Sequence, residues 1–281
     1  MSAEERSAEQ SLALAGRYVD MGRGEDALGV LARLDADSAR EEWAHLLRVS
    51  ALLLEEDHDA AAVAARDGLA EHPDSSHLLF QLSVAEEARD DLAESERAIL
   101  AALAIEPDDA DFLCQYADLT MRAGQLEKAE RLLARAGAAE PGSQRVLRGR
   151  VQLAYLRNDD REAERLSREL LASDPEAMAG HAMLGAVALD GGRAREAAER
   201  FGAVVRADPS NHAAAEAARL AKRESRWRRL PSRLVTRFGV AGTWVAGVGT
   251  IFGLRALGFD TAAGIATVVW LVFCVSTWVS R

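Results

Sequence analysis

The chain has 281 residues, with 28% charged, 5% aromatic, a net charge of −11, six prolines and two cysteines. That length holds one or two domains with a sizeable core, and abundant Ala with few prolines favours an all-α protein. Residues 222–281 hold nine basic and two acidic residues (+7), so residues 1–221 carry −18, a charge that repels nucleic acid and excludes it as an expected partner.

The chain opens on MSAEERSAEQS, which is polar and acidic and lacks the apolar core of a secretory signal. A clock follows. Pro73, Pro107, Pro141, Pro175 and Pro209 stand 34 residues apart, and a fixed period of 20–50 residues marks a repeat architecture. Seventeen residues before each proline stand Glu56, Asp90, Gly124, Asn158 and Gly192, mostly turn formers. Twelve before each stand Ala61, Ser95, Ala129, Ala163 and Ala197, all small. Gly22 and Ala27 continue both columns upstream, with Ala39 in the proline column. A sixth repeat without its proline is therefore predicted to begin near residue 8.

Each unit reads as helix, turn, helix, proline. In residues 178–209, Met183, Leu184, Val187 and Leu189 recur at helical spacing, DGG interrupts, and Ala197, Ala198, Phe201, Val204 and Val205 resume it. Proline lacks an N–H and ends a helix, and the Asp, Ser or Asn after it is placed to cap the next one. Small residues let two helix backbones cross closely. One such pair cannot bury its apolar face alone, so neighbours must stack.

Leu184-Gly185, the turn at Gly192, the small Ala197, the aromatic Phe201 and the final Pro209 resemble the tetratricopeptide (TPR) family pattern. The resemblance covers about residues 8–211. It implies a solenoid of helical hairpins with five clear repeats and the sixth at the N-terminus. It also implies that the first helix of each repeat lines a groove for a protein or peptide partner. By column, Gln81, Gln115, Asp118, Arg145, Arg148 and Gln152 face that groove. The Lys/Asn clamp with which some members hold a terminal carboxylate is absent at the corresponding columns. Arg48 and Arg150 replace the expected Leu and are followed by Val49 and Val151, which predicts first helices that are degenerate or displaced there by about one residue.

Chemistry is sparse. Asp90-Asp91, Asp108-Asp109 and Asp159-Asp160 fall at repeat turns, where adjacent carboxylates point apart rather than sharing acid–base work. His72 and His77 bracket the turn HPDSSH, but neither Cys nor a carboxylate cluster completes a metal set. No metal, cofactor or catalytic residue is expected, and Cys114 and Cys274 lie in segments too different to form a disulfide framework.

After Asn211 the period stops. HAAAEAARLAKRES reads as an amphipathic capping helix, and residues 212–237 as cap plus basic segment. Arg226, Trp227, Arg228, Arg229, Arg233 and Arg237 suit a surface of anionic lipid headgroups. Residues 238–254 and 261–280 contain no charge, and about 20 apolar residues span a bilayer. A transmembrane helical hairpin over residues 238–281 is predicted, its first span extending to Gly258 if Arg255 reaches the interface. GVGTIFG (247–253) lacks the strand–helix context of a dinucleotide loop. Gly249 and Gly253 instead form a GxxxG pair suited to helix packing and self-association.

Arginines flank both outer ends of the hairpin and only Arg255 lies in its connection, which places both termini in the cytoplasm of a bacterial cell. The sequence therefore predicts a non-catalytic, membrane-anchored TPR scaffold with residues 1–211 in the cytoplasm. The alternative is a subunit of a membrane enzyme or transporter whose site lies in the hairpin, for which only Arg255 and Asp260 at the span ends speak.

Overall fold

The computed structural model describes residues 3–224. Among them, twelve α-helices form six hairpin pairs: α1 (Ala3–Asp20) with α2 (Gly24–Leu31), α3 (Glu42–Leu54) with α4 (His58–Glu71), α5 (Ser76–Ala88) with α6 (Leu92–Ile105), α7 (Ala110–Arg122) with α8 (Leu126–Ala139), α9 (Gln144–Leu156) with α10 (Asp160–Ser173), and α11 (Met178–Asp190) with α12 (Ala194–Ala207). A short 3-10 turn, Ser38–Arg40, follows α2. Residues 212–224 are helical. No strand occurs among the described residues.

From α3 onward each first helix starts 34 residues after the previous one, and every second helix does so from α2. The turn column explains the constancy. Gly22, Glu56, Asp90, Gly124, Asn158 and Gly192 all have positive φ, between 57° and 72°. One left-handed residue reverses the chain between the two helices of every repeat, the geometry that a helix C-terminus favours. The small columns explain the crossings. Ala27, Ala61, Ser95, Ala129, Ala163 and Ala197 are all 0% exposed. Opposite them, one face of each first helix presents Ala15, Val49, Ser83, Ala117, Val151 and Gly185, every one buried. At the α5–α6 crossing the Ser83 and Ser95 hydroxyls meet at 3.0 Å, and Ser95 Oγ donates to the Ser83 carbonyl at 2.7 Å. At the α11–α12 crossing a side chain on Gly185 would come within 3.0 Å of the Phe201 ring.

Two sequence expectations change. The first helix begins at Ala3, not near residue 8. The proline column of the first repeat is filled by the 3-10 turn. There Asp35 accepts the Asp37 and Ser38 N–H groups at 3.1 and 2.9 Å and the Ser38 hydroxyl at 2.8 Å. The Ser38 contacts hold the Asp35 carboxyl below its ordinary range. Finally, α3 and α9 are not displaced: Val49 and Val151 fill the small column at 0% and 2% exposure. Arg150 lies at the surface across Gly137 of α8, where a Cβ would stand 2.5 Å from its guanidinium. A long aliphatic stem can cover such a bare patch of helix while its charge stays in water.

Caps follow the punctuation in part. Ser75, Asp109 and Asn211, each two residues after a proline, accept the N–H groups of Leu78, Phe112 and Ala214 at 3.2, 2.9 and 2.9 Å. Ser143 stands in the same column without a side-chain cap bond. Asp208 accepts both the N–H and the hydroxyl of Ser210, at 2.9 and 2.6 Å, a turn bond rather than a catalytic one.

The chain divides into two compact units after Pro175. In the first, each second helix packs on the following first helix, and α1, α3, α5, α7 and α9 pack on one another in sequence. The second helices make no comparable contact with one another. The layer of first helices is therefore the tight, inner side of the unit. In the second unit, α11 and α12 close around Ala188, Ala197, Ala198 and Phe201 together with Ala218 and Ala221.

A left-handed L-residue costs roughly 1–2 kcal/mol that glycine avoids. Glu56→Gly should therefore raise stability by about 1 kcal/mol in urea unfolding, whereas Gly124→Val, at φ 72°, should lower it. A loss of stability in Glu56→Gly would refute the role given to this column.

Candidate partner-binding face

The inner face of the first unit carries a polar chain across three first helices. Repeat periodicity places residues 34 apart in stacked columns, so Gln81 and Gln115 share one and Asp118 and Gln152 another. Gln115, 3% exposed, is the centre. Its Nε2 donates to Glu87 Oε2 on α5 at 2.7 Å, and its Oε1 accepts from Arg145 Nη2 on α9 at 3.1 Å. Arg145 also approaches Asp111 at 3.5 Å and Asp118 at 4.0 Å. Its guanidinium stands 5.6 Å from the centre of the Phe80 ring, within reach of a cation–π attraction. At the other end, Arg122 contacts the Glu87 carboxylate at 3.3 Å and Asp90 at 2.7 Å.

Of the six groove residues expected from sequence, Gln115, Asp118 and Arg145 thus meet in one network. Gln81 is turned toward α3, its Nε2 donating to the Leu46 carbonyl at 3.1 Å and to Ser50 Oγ at 2.7 Å. Its buried Oε1 has no partner. Arg148 and Gln152 are exposed farther along α9, and the Arg148 charge acts on Asp118. Sequence reading missed Glu87, Asp111 and Arg122. A usable signal existed: Arg122 follows Asp90 and Glu87 by 32 and 35 residues, close to one repeat.

Burial raises the Asp118 carboxyl to about 6, against the opposing pull of Arg145. Burial also pushes the Cys114 thiol up to about 11, so it stays protonated and serves as a core side chain. The acidic pairs separate as expected. Asp90 takes the left-handed turn and Asp91 caps α6 by accepting the Glu94 N–H at 3.0 Å. Asp108 pairs with Arg135 at 3.0 Å while Asp109 caps α7. Asp159 caps α10 through the Glu162 N–H at 3.1 Å. His77 packs edge-on against Phe112 with ring centres 5.5 Å apart, and Phe80 stacks on the same ring at 5.2 Å. His72 is not its partner; it faces Arg40, whose carbonyl lies 2.7 Å from His72 Nε2.

Among the described residues no helix is long and apolar enough to cross a membrane. The expected spans 238–254 and 261–280, the lipid-facing Arg226, Trp227, Arg228, Arg229, Arg233 and Arg237, and the packing pair Gly249 and Gly253 lie outside the described residues.

The folded protein holds the Asp118 proton more tightly than the unfolded chain does, so this carboxyl makes stability fall as pH rises from 3.8 toward about 6. Asp118→Asn should therefore melt higher than the wild type at pH 8 and equal to it at pH 3.5. A variant that gains nothing at pH 8 would show that Asp118 is well solvated.

Residues 88–153 match the sequence model of the tetratricopeptide repeat. No curated protein matches the chain in sequence. Among solved structures, the Cut9–Hcn1 hetero-tetramer of the APC/C superposes with a TM-score of 0.66 at 12% identity, over 76% of this chain and 42% of that one. This chain thus spans less than half the length of that relative. PilW, a type IV pilus biogenesis factor, gives 0.58 at 20% identity over 73% of this chain and 96% of its own. A thermophilic TPR protein of Thermus thermophilus, TTC0263, gives 0.58 at 18% identity over 64% and 98%. At such identities the likeness is one of fold. The chain folds as a solenoid of helical hairpins, and residues 88–153 carry the sequence signature of the tetratricopeptide repeat.

Proposed function

We propose that the chain is a non-catalytic scaffold that holds a protein or peptide segment against its inner face, beside a bacterial cytoplasmic membrane to which residues 238–281 anchor it. The observation that carries the binding reading is the state of Arg145. It is a guanidinium 31% exposed, with Asp111 and Asp118 at 3.5 and 4.0 Å, beyond the 2.7–3.2 Å of a good N–H···O bond. Such a group has donors to spare for a backbone carbonyl or carboxylate of a bound segment. Trp43, 53% exposed, occupies the same column as His77, Asp111 and Arg145 and offers an aromatic anchor of the kind that dominates interface energies.

The anchor reading rests on the uncharged runs 238–254 and 261–280 and on the arginines before them. Tethering confines a bound partner to the membrane surface and raises its local concentration there. Cytoplasmic orientation, lipid contact through Arg226, Arg228, Arg229, Arg233 and Arg237, and self-association through Gly249 and Gly253 belong to this same proposal.

Two measurements on the full chain test it. A photo-crosslinking residue at Arg148 or Gln152 should capture a discrete partner in cells, whereas one at the exposed Arg131 of α8 should not. Arg145→Ala should weaken that capture about tenfold, the loss of roughly 1.4 kcal/mol. Equal capture from α8 would sink the groove assignment. The full chain should remain with the membrane pellet after an alkaline wash; recovery in the supernatant would refute the anchor.

A further inference from the structure

The second repeat brings together three side chains far apart in sequence. His45 lies on α3; Glu71 is the last residue of α4 and His72 follows as its C-cap. One ring nitrogen from each histidine and a Glu71 carboxylate oxygen all lie within 4.8 Å of one another. His45 Nε2 is already 3.9 Å from Glu71 Oε2. Ligands each bound at about 2.1 Å to a tetrahedral ion sit roughly 3.4 Å apart, so small side-chain rotations close the set.

We infer that His45, Glu71 and His72 form a three-ligand site for a divalent transition-metal ion, Zn2+ in particular, with a fourth position open to water. The strongest mark is His45. It is 5% exposed, and neither ring nitrogen has a hydrogen-bond partner. An imidazole buried without partners loses free energy that a cation would restore. The ring has a fitted seat: a Cβ on Gly68 would stand 3.0 Å from the His45 Cβ and Cγ. His72 is oriented by a backbone carbonyl. A carbonyl only accepts, so the 2.7 Å contact fixes the His72 proton on Nε2, donated to Arg40, and leaves the lone pair of the neutral ring on Nδ1. An outer carbonyl that fixes the tautomer in this way is a common companion of metal-bound histidine.

The setting favours a cation on balance. The site sits at the C-terminal end of α4, the negative end of the helix dipole, and Asp67 adds negative potential at His45. Arg48 opposes it, and the Arg40 guanidinium stands 3.7 Å from Glu71 Oε1, leaving Oε2 for the ion. Glu71 and His72 reach the surface, which gives the ion its entry path. Two imidazoles and one carboxylate are a borderline donor set that suits Zn2+, and three protein ligands leave an exchangeable place. The site is separate from the Gln115–Arg145 network and holds whether or not a partner binds there.

The test uses the untagged full chain, stripped with chelator and titrated with Co2+ alone, then with Zn2+ alone. Co2+ should give the intense visible bands of a four-coordinate ion at one equivalent, and Zn2+ should displace it and raise the melting temperature. Glu71→Gln and His72→Gln change surface-reaching groups; each should weaken binding at least tenfold, by analogy with the losses seen when metal-site partners are removed. His45→Asn should do the same, but its burial makes the two surface variants decisive. His77→Gln should leave binding intact. Absence of stoichiometric binding, weak six-coordinate bands, binding that survives both surface variants, or binding lost in His77→Gln would each overturn the assignment.

Discussion

Two helix backbones approach closely only where both present small side chains, and that constraint governs this chain. Ala or Ser stands at the crossing position of every second helix described, and none of these residues has exposed surface. Opposite them the first helices offer Ala, Ser, Gly or Val, the Val residues being the largest the crossing accepts. Once the crossing is set, the two helix lengths, the single left-handed residue between them and the closing turn follow. Repeat hairpins built this way are interchangeable in shape, so they stack with each apolar face covered by the next.

That crossing also explains what was legible in the sequence. The period, the turn column and the small column are local choices, visible as spacing. The fold could therefore be read from Gly22 to Asn211. The expectation of displaced helices at Arg48 and Arg150 failed because it weighed the Leu position rather than the small one. Val49 and Val151 hold the register, and Arg150 is accommodated by Gly137, a residue on a neighbouring helix. The inner face was half legible for the same reason. Gln115, Asp118 and Arg145 lie in columns that the repeat displays. Asp111 shares the column of Arg145, 34 residues upstream, and was legible in the same way, whereas Glu87 meets Gln115 across columns, and such meetings depend on side-chain direction. His45 and His72 stand 27 residues apart, out of step with the period, and only packing brings them together.

The polar ties between repeats share a logic. Glu86 is 0% exposed and is held by Arg66 of α4 and Arg89, with Arg89 Nη1 at 2.6 Å. Arg89 also reaches back to Asp59 at the start of α4, at 2.6 Å. Arg157 does likewise, meeting Glu130 at 2.8 Å, and Glu55 accepts the Glu25 N–H of α2 at 2.9 Å. Arg89, Arg157 and Glu55, at the ends of first helices, each grip the first part of the preceding second helix, while Glu86 reaches Arg66 farther along α4. These contacts tie successive repeats together, while the small-residue crossings join the two helices within each.

The uneven layering of the first unit has a mechanical consequence. Its inner helices form one unbroken packed layer and its outer helices do not touch one another in the same way. Such an arrangement is stiff to compression on the inside and compliant on the outside, as in a leaf spring. Such layering predicts that bending of the unit changes the gaps between α4, α6, α8 and α10 more than the spacing of Gln115 and Arg145.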